Sequence, residues 1–212
     1  MAPAPSPPRA WQRMLSGRRL DLIDPSPLDV EIEDIAHGLA RVARWNGQTR
    51  GEHAFSVAQH SLLVLNVTQL LAPSASPDKL LIALLHDAPE YVVGDMISPF
   101  KAVIGGDYKS VEERLLAAIH LRFALPARTP ADWKKTVKRA DAISAYFEAT
   151  RLAGFQESEA VKFFGRPNGV PAPADLLDPL PPREAQSRFL QAFRHLEHQR
   201  AGSTFPAADK GG

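Results

Sequence analysis

An imidazole and a carboxylate stand side by side at His86 and Asp87, directly after the apolar run Leu80 to Leu85, and a second carboxylate follows at Glu90. A run of that kind belongs in a core and would draw His86 and Asp87 inward with it. Buried ionisable groups need a partner, and a divalent cation satisfies both at once. The ordinary alternative is a helix end at which the pair faces solvent, since a two-residue match is common by chance. His60 and Asp141 carry the same double reading. His60 has apolar positions one turn away and should look inward, as a metal ligand or as a core histidine bonded to a carbonyl. Asp141 stands mid-helix among Ala140, Ala142, Ile143 and Ala145, where aspartate has poor propensity. It either ligates an ion or pairs with Lys138 or Arg139 on the surface. Together the four residues are two imidazoles and two carboxylates on three separate helices. Such a set suits manganese, iron, cobalt, nickel or zinc better than calcium. Four protein ligands on an octahedral ion leave positions open for water and substrate. A water held there becomes a nucleophile near neutral pH.

The elements that must position these groups read as helices separated by proline clusters. The first helix is expected over Asp29 to Arg44, with Ile32, Ile35, Ala36, Leu39 and Val42 at helical spacing and Asp29, Glu31, Glu33 and Asp34 near its start. The second runs from Ala54 to Leu71 and carries His60. The third starts at Ser76-Pro77-Asp78, a cap followed by proline in the first turn, and ends at His86-Asp87, with a break at Ala88 because it precedes Pro89. A loop over Met96 to Gly106 precedes a fourth helix, Tyr108 to Phe123. The fifth starts with a threonine cap at Thr129-Pro130-Ala131-Asp132 and runs to Leu152. A short helix over Glu157 to Phe164, a proline-rich loop over Val170 to Pro182 and a final amphipathic helix to Gln199 complete the series, and the Phe189-Leu190…Phe193 face should pack back on the domain. Arg18 to Ile23 is a short extended piece. No alternating strand pattern of useful length occurs, so the class is all-α. The expected division is a poorly ordered arm over 1–17, a core over 18–165, the proline-rich loop and last helix over 166–200, and a tail over 201–212.

The 212 residues suit one domain, and the formal charge of +1 gives no electrostatic case for a nucleic-acid polymer or a membrane surface. There is no cysteine, which removes disulfides, thiolate zinc sites and cysteine nucleophiles. No apolar run approaches the roughly 18 residues of a membrane span. The N-terminal Met1 to Pro8 has no apolar signal region. A cytoplasmic enzyme or binding protein is the expectation.

The order His…His-Asp…Asp on helices resembles the HD-domain phosphohydrolase superfamily, and within it the bacterial 5′-deoxynucleotidases and related small HD hydrolases. The matching stretches are Arg44-Trp45, Gln59-His60-Ser61-Leu62, His86-Asp87-Ala88-Pro89-Glu90, Gly94-Asp95…Pro99…Lys101, Tyr108-Lys109 and Val137-Lys138-Arg139-Ala140-Asp141-Ala142. The fold implied is an HD-domain helical bundle, here with an extra C-terminal helix. The resemblance implies that His60, His86, Asp87 and Asp141 ligate one divalent ion (manganese, cobalt, iron, nickel, magnesium or zinc). It implies that Glu90 orients or deprotonates the attacking water, that Arg44 grips the phosphate, that Lys101 binds substrate, that Trp45 walls the sugar and that Asp95 bonds the sugar or leaving-group side. The implied substrate is a small phosphorylated molecule, a deoxyribonucleoside 5′-monophosphate foremost, and a homodimer through the terminal helices is compatible with it.

The chain departs from that pattern in three places. Ala58-Gln59 precedes the first histidine where family members often have Ser-Glu. His53 lies seven residues before His60 and would share its face if both were helical. Pro89 leaves helical spacing between Asp87 and Glu90 unassured. His120 is a candidate further ligand of a two-metal site or an ordinary packed histidine; His37, His195 and His198 read as surface residues. Other readings stay open: an HD hydrolase of another nucleotide or small phosphate, a nucleotide-binding regulator with little turnover, and a di-iron oxygenase that would need His53 and His120 as ligands.

Overall fold

A computed structural model describes residues 9–97 and 106–204. The chain begins with a hairpin of β1 (Trp11–Arg13) and β2 (Arg19–Asp21), antiparallel with Trp11 opposite Asp21. Three-residue strands are too short to carry an alternating pattern, so only the β2 stretch was visible in the sequence, as an extended piece. Trp11–Arg13 lies in the stretch expected to be a loosely ordered arm and takes its structure from pairing with β2. Leu20 is fully buried and pins the hairpin to the core. Ser16 in its turn donates through N–H and Oγ–H to the buried Asp34.

Helix α1 (Ile32–Leu39) is shorter than expected at both ends. Ser26 caps a separate 3-10 turn at Pro27–Asp29, and Val30 behind it is extended, so Asp29 belongs to that turn. Helix α2 (Val57–Leu71) starts three residues later than expected, where the Ser56 side chain accepts from the Gln59 N–H. Helix α3 (Pro77–Leu84) has the expected Ser76 cap and Pro77 start but ends before His86. Leu85 leaves helical geometry, turns carry the chain over 85–89, and α4 (Glu90–Val93) follows as a single turn. The break therefore falls ahead of Ala88, because the His86 ring takes the Ala83 carbonyl that would otherwise extend the ladder.

Helix α5 (Gly106–Arg122) and α6 (Ala131–Arg151) come next. The expected threonine cap on α6 is corrected: Pro130 occupies the cap position, and no side chain caps it. Helix α7 (Glu157–Phe164) has the expected bounds. Helix α8 (Pro182–Thr204) continues past Gln199, because Arg200 bonds the carbonyls of Phe123 and Ala124 and pairs with Asp78 at 2.7 Å. No described helix is long and apolar enough to cross a membrane.

Two apolar clusters hold these elements as an all-α bundle. One joins Ile35 and Leu39 of α1, Leu81 and Leu84 of α3, and Phe189 and Leu196 of α8. The other joins Leu63, Val64 and Val67 of α2 to Ala140, Ile143 and Phe147 of α6. Each large side chain removed from water there contributes roughly 1.5–3 kcal/mol. The second cluster fixes α2 against α6, the helices that carry His60 and Asp141. The proline-rich segment is held by Gln59, whose amide donates to the Asp178 carbonyl at 2.7 Å and accepts from the Leu180 N–H at 3.1 Å. That clamp gives a physical role to the glutamine at which the sequence departs from the family pattern.

The backbones of α1 and α4 meet at Gly38. A Cβ there would lie 2.7 Å from Tyr91 Cβ and 2.8 Å from the Tyr91 carbonyl oxygen. Gly38→Ala must push α4 away, and with it Glu90, the neighbour of Tyr91. Overpacking of this kind costs about 1–3 kcal/mol. A thermal melt is expected to show a midpoint lowered by roughly 2–4 °C per kcal/mol; an unchanged midpoint would show that the helices separate freely.

Candidate metal centre

His60 is the fourth residue of α2 and fully buried. His86 and Asp87 stand in the turns after α3, and Asp141 in the middle of α6. These three separate segments bring the four residues to one place. Asp87 Oδ2 is 3.4 Å from His60 Nε2 and 3.3 Å from His86 Nε2, and Asp141 Oδ1 is 3.3 Å from His60 Nε2. One ligand atom each from His60, His86 and Asp141 lie within 4.8 Å of one another. The Asp141 side chain keeps 41 % of its exposure, so the group opens to solvent on the α6 side.

The other ring nitrogens decide which atoms face the centre. His86 Nδ1 bonds the Ala83 carbonyl at 2.8 Å, and a carbonyl only accepts, so Nδ1 carries the proton. His60 Nδ1 bonds Glu148 Oε1, deep in the core. Burial would raise the Glu148 carboxyl, but His60 and Arg44 outweigh it and hold the pKa at about 2. Glu148 also faces the N–H groups of Arg44 and Trp45, which can only donate, so it is the acceptor here and His60 Nδ1 donates to it. Both Nε2 atoms are buried and have no hydrogen-bond partner among the described residues. Two imidazole Nε2 atoms thus converge with the Asp87 and Asp141 carboxylates, a donor set that fits a divalent cation. Burial and Arg44 push His60 toward its neutral form, but Glu148, Asp141 and Asp87 raise its pKa well above the ordinary value. Burial likewise opposes ionisation of Asp87, while His86 and His60 hold it well below the usual carboxylate range. Charges that retain a proton on His60 would retain a cation in its place.

Arg44 and Trp45 arrive from the other side. A 3-10 turn over Arg44–Gly47 is tied to the start of α2, since Arg44 N–H donates to the Phe55 carbonyl and Val57 N–H to the Val42 carbonyl. Trp45 and Asn46 adopt left-handed backbone, with φ of 56° and 51°. For a bulky side chain that geometry is strained and must be held by its surroundings. The indole is held by Phe155 and Phe164, with ring centroids at 5.6 and 5.8 Å, and by its Nε1–H, which donates to Glu148 Oε2 at 2.9 Å. Arg44 donates through Nε to Glu148 Oε2 at 3.3 Å and through Nη1 to Asp95 Oδ2 at 3.1 Å.

Glu90 is buried at 3 % exposure. Its N–H donates to the Asp87 carbonyl at 3.0 Å, so a tight turn brings the two residues together where helical spacing was not assured. A cavity of about 200 Å³ is lined by His86, Asp87 and Glu90 together with Lys109 and Glu112 of α5. A larger cavity of about 450 Å³ lies elsewhere, between Arg50, Tyr146 and Phe155. Lys101 lies outside the described residues.

The remaining histidines stand apart from the group. His53 precedes α2 in irregular, partly exposed chain, so it shares no helical face with His60. His120 is buried with Nδ1 on the Pro126 carbonyl. His195 and His198 are exposed, and His37 is half-buried. Glu148 was missed in the sequence. Its one signal is position: seven residues after Asp141 on the same helix, about two turns on and so on the same face.

The helical bundle and its His-Asp group define a metal-dependent phosphohydrolase domain of the HD type. A family model described as 5′-deoxynucleotidase YfbR-like matches residues 35–162, and the chain belongs to that family. It is 57 % identical over 181 residues to the uncharacterized protein RCAP_rcc00048 of Rhodobacter capsulatus, covering 85 % of this chain and 92 % of that one. It is 33 % identical over 176 residues to the uncharacterized protein YfdR of Escherichia coli, covering 81 % and 87 %.

Proposed function

We propose that the chain hydrolyses the phosphomonoester of deoxyribonucleoside 5′-monophosphates to a nucleoside and phosphate. The observation that carries this reading is the convergence of a cation-fitting His-Asp group with a guanidinium and an indole held by the same buried carboxylate, Glu148. Family membership supports the substrate class.

In this reading His60, His86, Asp87 and Asp141 hold one divalent ion. When bound, it supplies positive charge to the phosphate and acidifies a water. Arg44 has five N–H donors, of which Glu148 and Asp95 use two; the others are left for phosphate oxygens, where the planar fork suits oxygen pairs. Asp95 keeps the guanidinium in place as well as serving the leaving-group side. Lys101 is the remaining substrate-binding residue of this reading. Glu90, shielded from bulk water, accepts the proton of the attacking water. Trp45, fixed by Phe155 and Phe164, forms a wall against the sugar.

The test is phosphate release from deoxy- and ribonucleoside 5′-monophosphates by metal-stripped protein with manganese, cobalt or magnesium added back. Cation-dependent release that favours the deoxy series is expected. Equal release from both series would remove Trp45 as a sugar wall. No release with any ion, from protein that binds one ion tightly, would end the nucleotidase reading.

A further inference from the structure

Glu148 has the chemistry of a coupling element, and we infer that it is the positioning residue through which cation binding and phosphate binding support one another. The inference rests on the nucleotidase reading for the identity of the anion. The side chain is fully buried on α6, and three donors from two other segments end on it. Oε1 takes the His60 Nδ1–H from α2. Oε2 takes the Arg44 Nε–H and the Trp45 Nε1–H from the turn before α2. Every contact uses Glu148 as an acceptor, and only a carboxylate presents acceptors on both sides.

The two sides serve different ligands. Oε1 sets the His60 tautomer. While Nδ1 donates to it, Nε2 is the nitrogen turned toward Asp87 and Asp141, which is the atom a cation would take. Oε2 sets the guanidinium and the indole, which is the form a phosphorylated sugar needs. Since one carboxyl group serves both sides, a displacement that improves one set of bonds is felt by the other.

Glu148→Gln separates the two tasks without changing the shape of the side chain. A glutamine has one accepting and one donating end. With the amide nitrogen toward His60, Nδ1 must accept, the ring proton moves to Nε2, and the cation loses a ligand. With the amide nitrogen toward Arg44 and Trp45, donors face donors and the turn is released. The variant must choose between a cation-competent and a phosphate-competent arrangement.

The experiment titrates manganese into metal-stripped protein with and without inorganic phosphate, by calorimetry, for wild type and E148Q. In wild type each ligand is expected to tighten the other. In E148Q manganese affinity should fall about 10–100-fold, and phosphate should now weaken the binding that remains. Unchanged manganese affinity, or a loss of both affinities with the mutual tightening intact, would overturn the inference, since a merely structural role would weaken both without reversing their linkage. Should E148Q not fold, 15N-histidine NMR of the unaltered protein loaded with zinc is the second measurement. It should show His60 protonated at Nδ1, with that signal shifting on addition of inorganic phosphate. A proton on Nε2, or a signal indifferent to phosphate, would overturn the inference. Wild type that shows the mutual tightening but releases no phosphate from any nucleotide would defeat the nucleotidase reading alone. Wild type that releases phosphate while E148Q keeps the wild-type linkage would defeat only the role of Glu148.

Discussion

Asp87→Ala is expected to lose the divalent cation and phosphate release together. Asp87 Oδ2 lies within 3.4 Å of both Nε2 atoms, so one carboxylate faces both imidazoles. It also supplies negative charge that a buried centre needs if it is to hold a dication. Changes behind the ligands of such a centre cost about 10–100-fold in affinity, and a ligand itself should reach or exceed the upper end. The measurement is manganese affinity by calorimetry beside phosphate release at saturating nucleotide. The fold should survive, because the main apolar clusters draw on α1, α2, α3, α6 and α8 and do not include Asp87. A variant that keeps one cation at wild-type affinity would remove Asp87 from the ligand set.

Glu90→Gln is expected to behave in the opposite way, keeping the cation and losing turnover by about 10²–10⁴, the usual contribution of a positioned base. Glu90 is buried beside the cavity that reaches His86 and Asp87, and the amide has the same size, so the packing of α4 against Gly38 is preserved. What the amide lacks is the ability to take a proton. Manganese affinity close to wild type, with kcat reduced and KM little changed, is the expected pattern. Normal turnover would assign the base to another group. Loss of the cation along with turnover would place Glu90 among the residues that hold the ion.

Much of this arrangement was legible in the chain because its signals are local. The Leu80–Leu85 run put a histidine and an aspartate at the edge of a core, and the structure brings them to His60 and Asp141. The prolines marked the loops. The helix ends were less legible, because they depend on side-chain bonds that periodicity does not report. The His86 ring on the Ala83 carbonyl ends α3 early, and Arg200 extends α8 beyond its expected end. Glu148 was hidden for a different reason. A glutamate in a helix is ordinary, and what makes this one unusual is its total burial against three donors far away in sequence. The separations are 88, 103 and 104 residues. No window along the chain contains that information. The hairpin was missed because its strands are specified by each other.

The backbone at Trp45 sets the role proposed for its indole against the needs of folding. A left-handed conformation costs a bulky L-residue on the order of 1–2 kcal/mol, and glycine almost nothing. The aromatic neighbours and one buried carboxylate offset that cost. Glycine at position 45 would relax the backbone but give up those contacts, so the two effects on heat resistance oppose one another. In the proposed function the indole is also the sugar wall, and a screen at this residue would have to follow sugar selectivity beside stability.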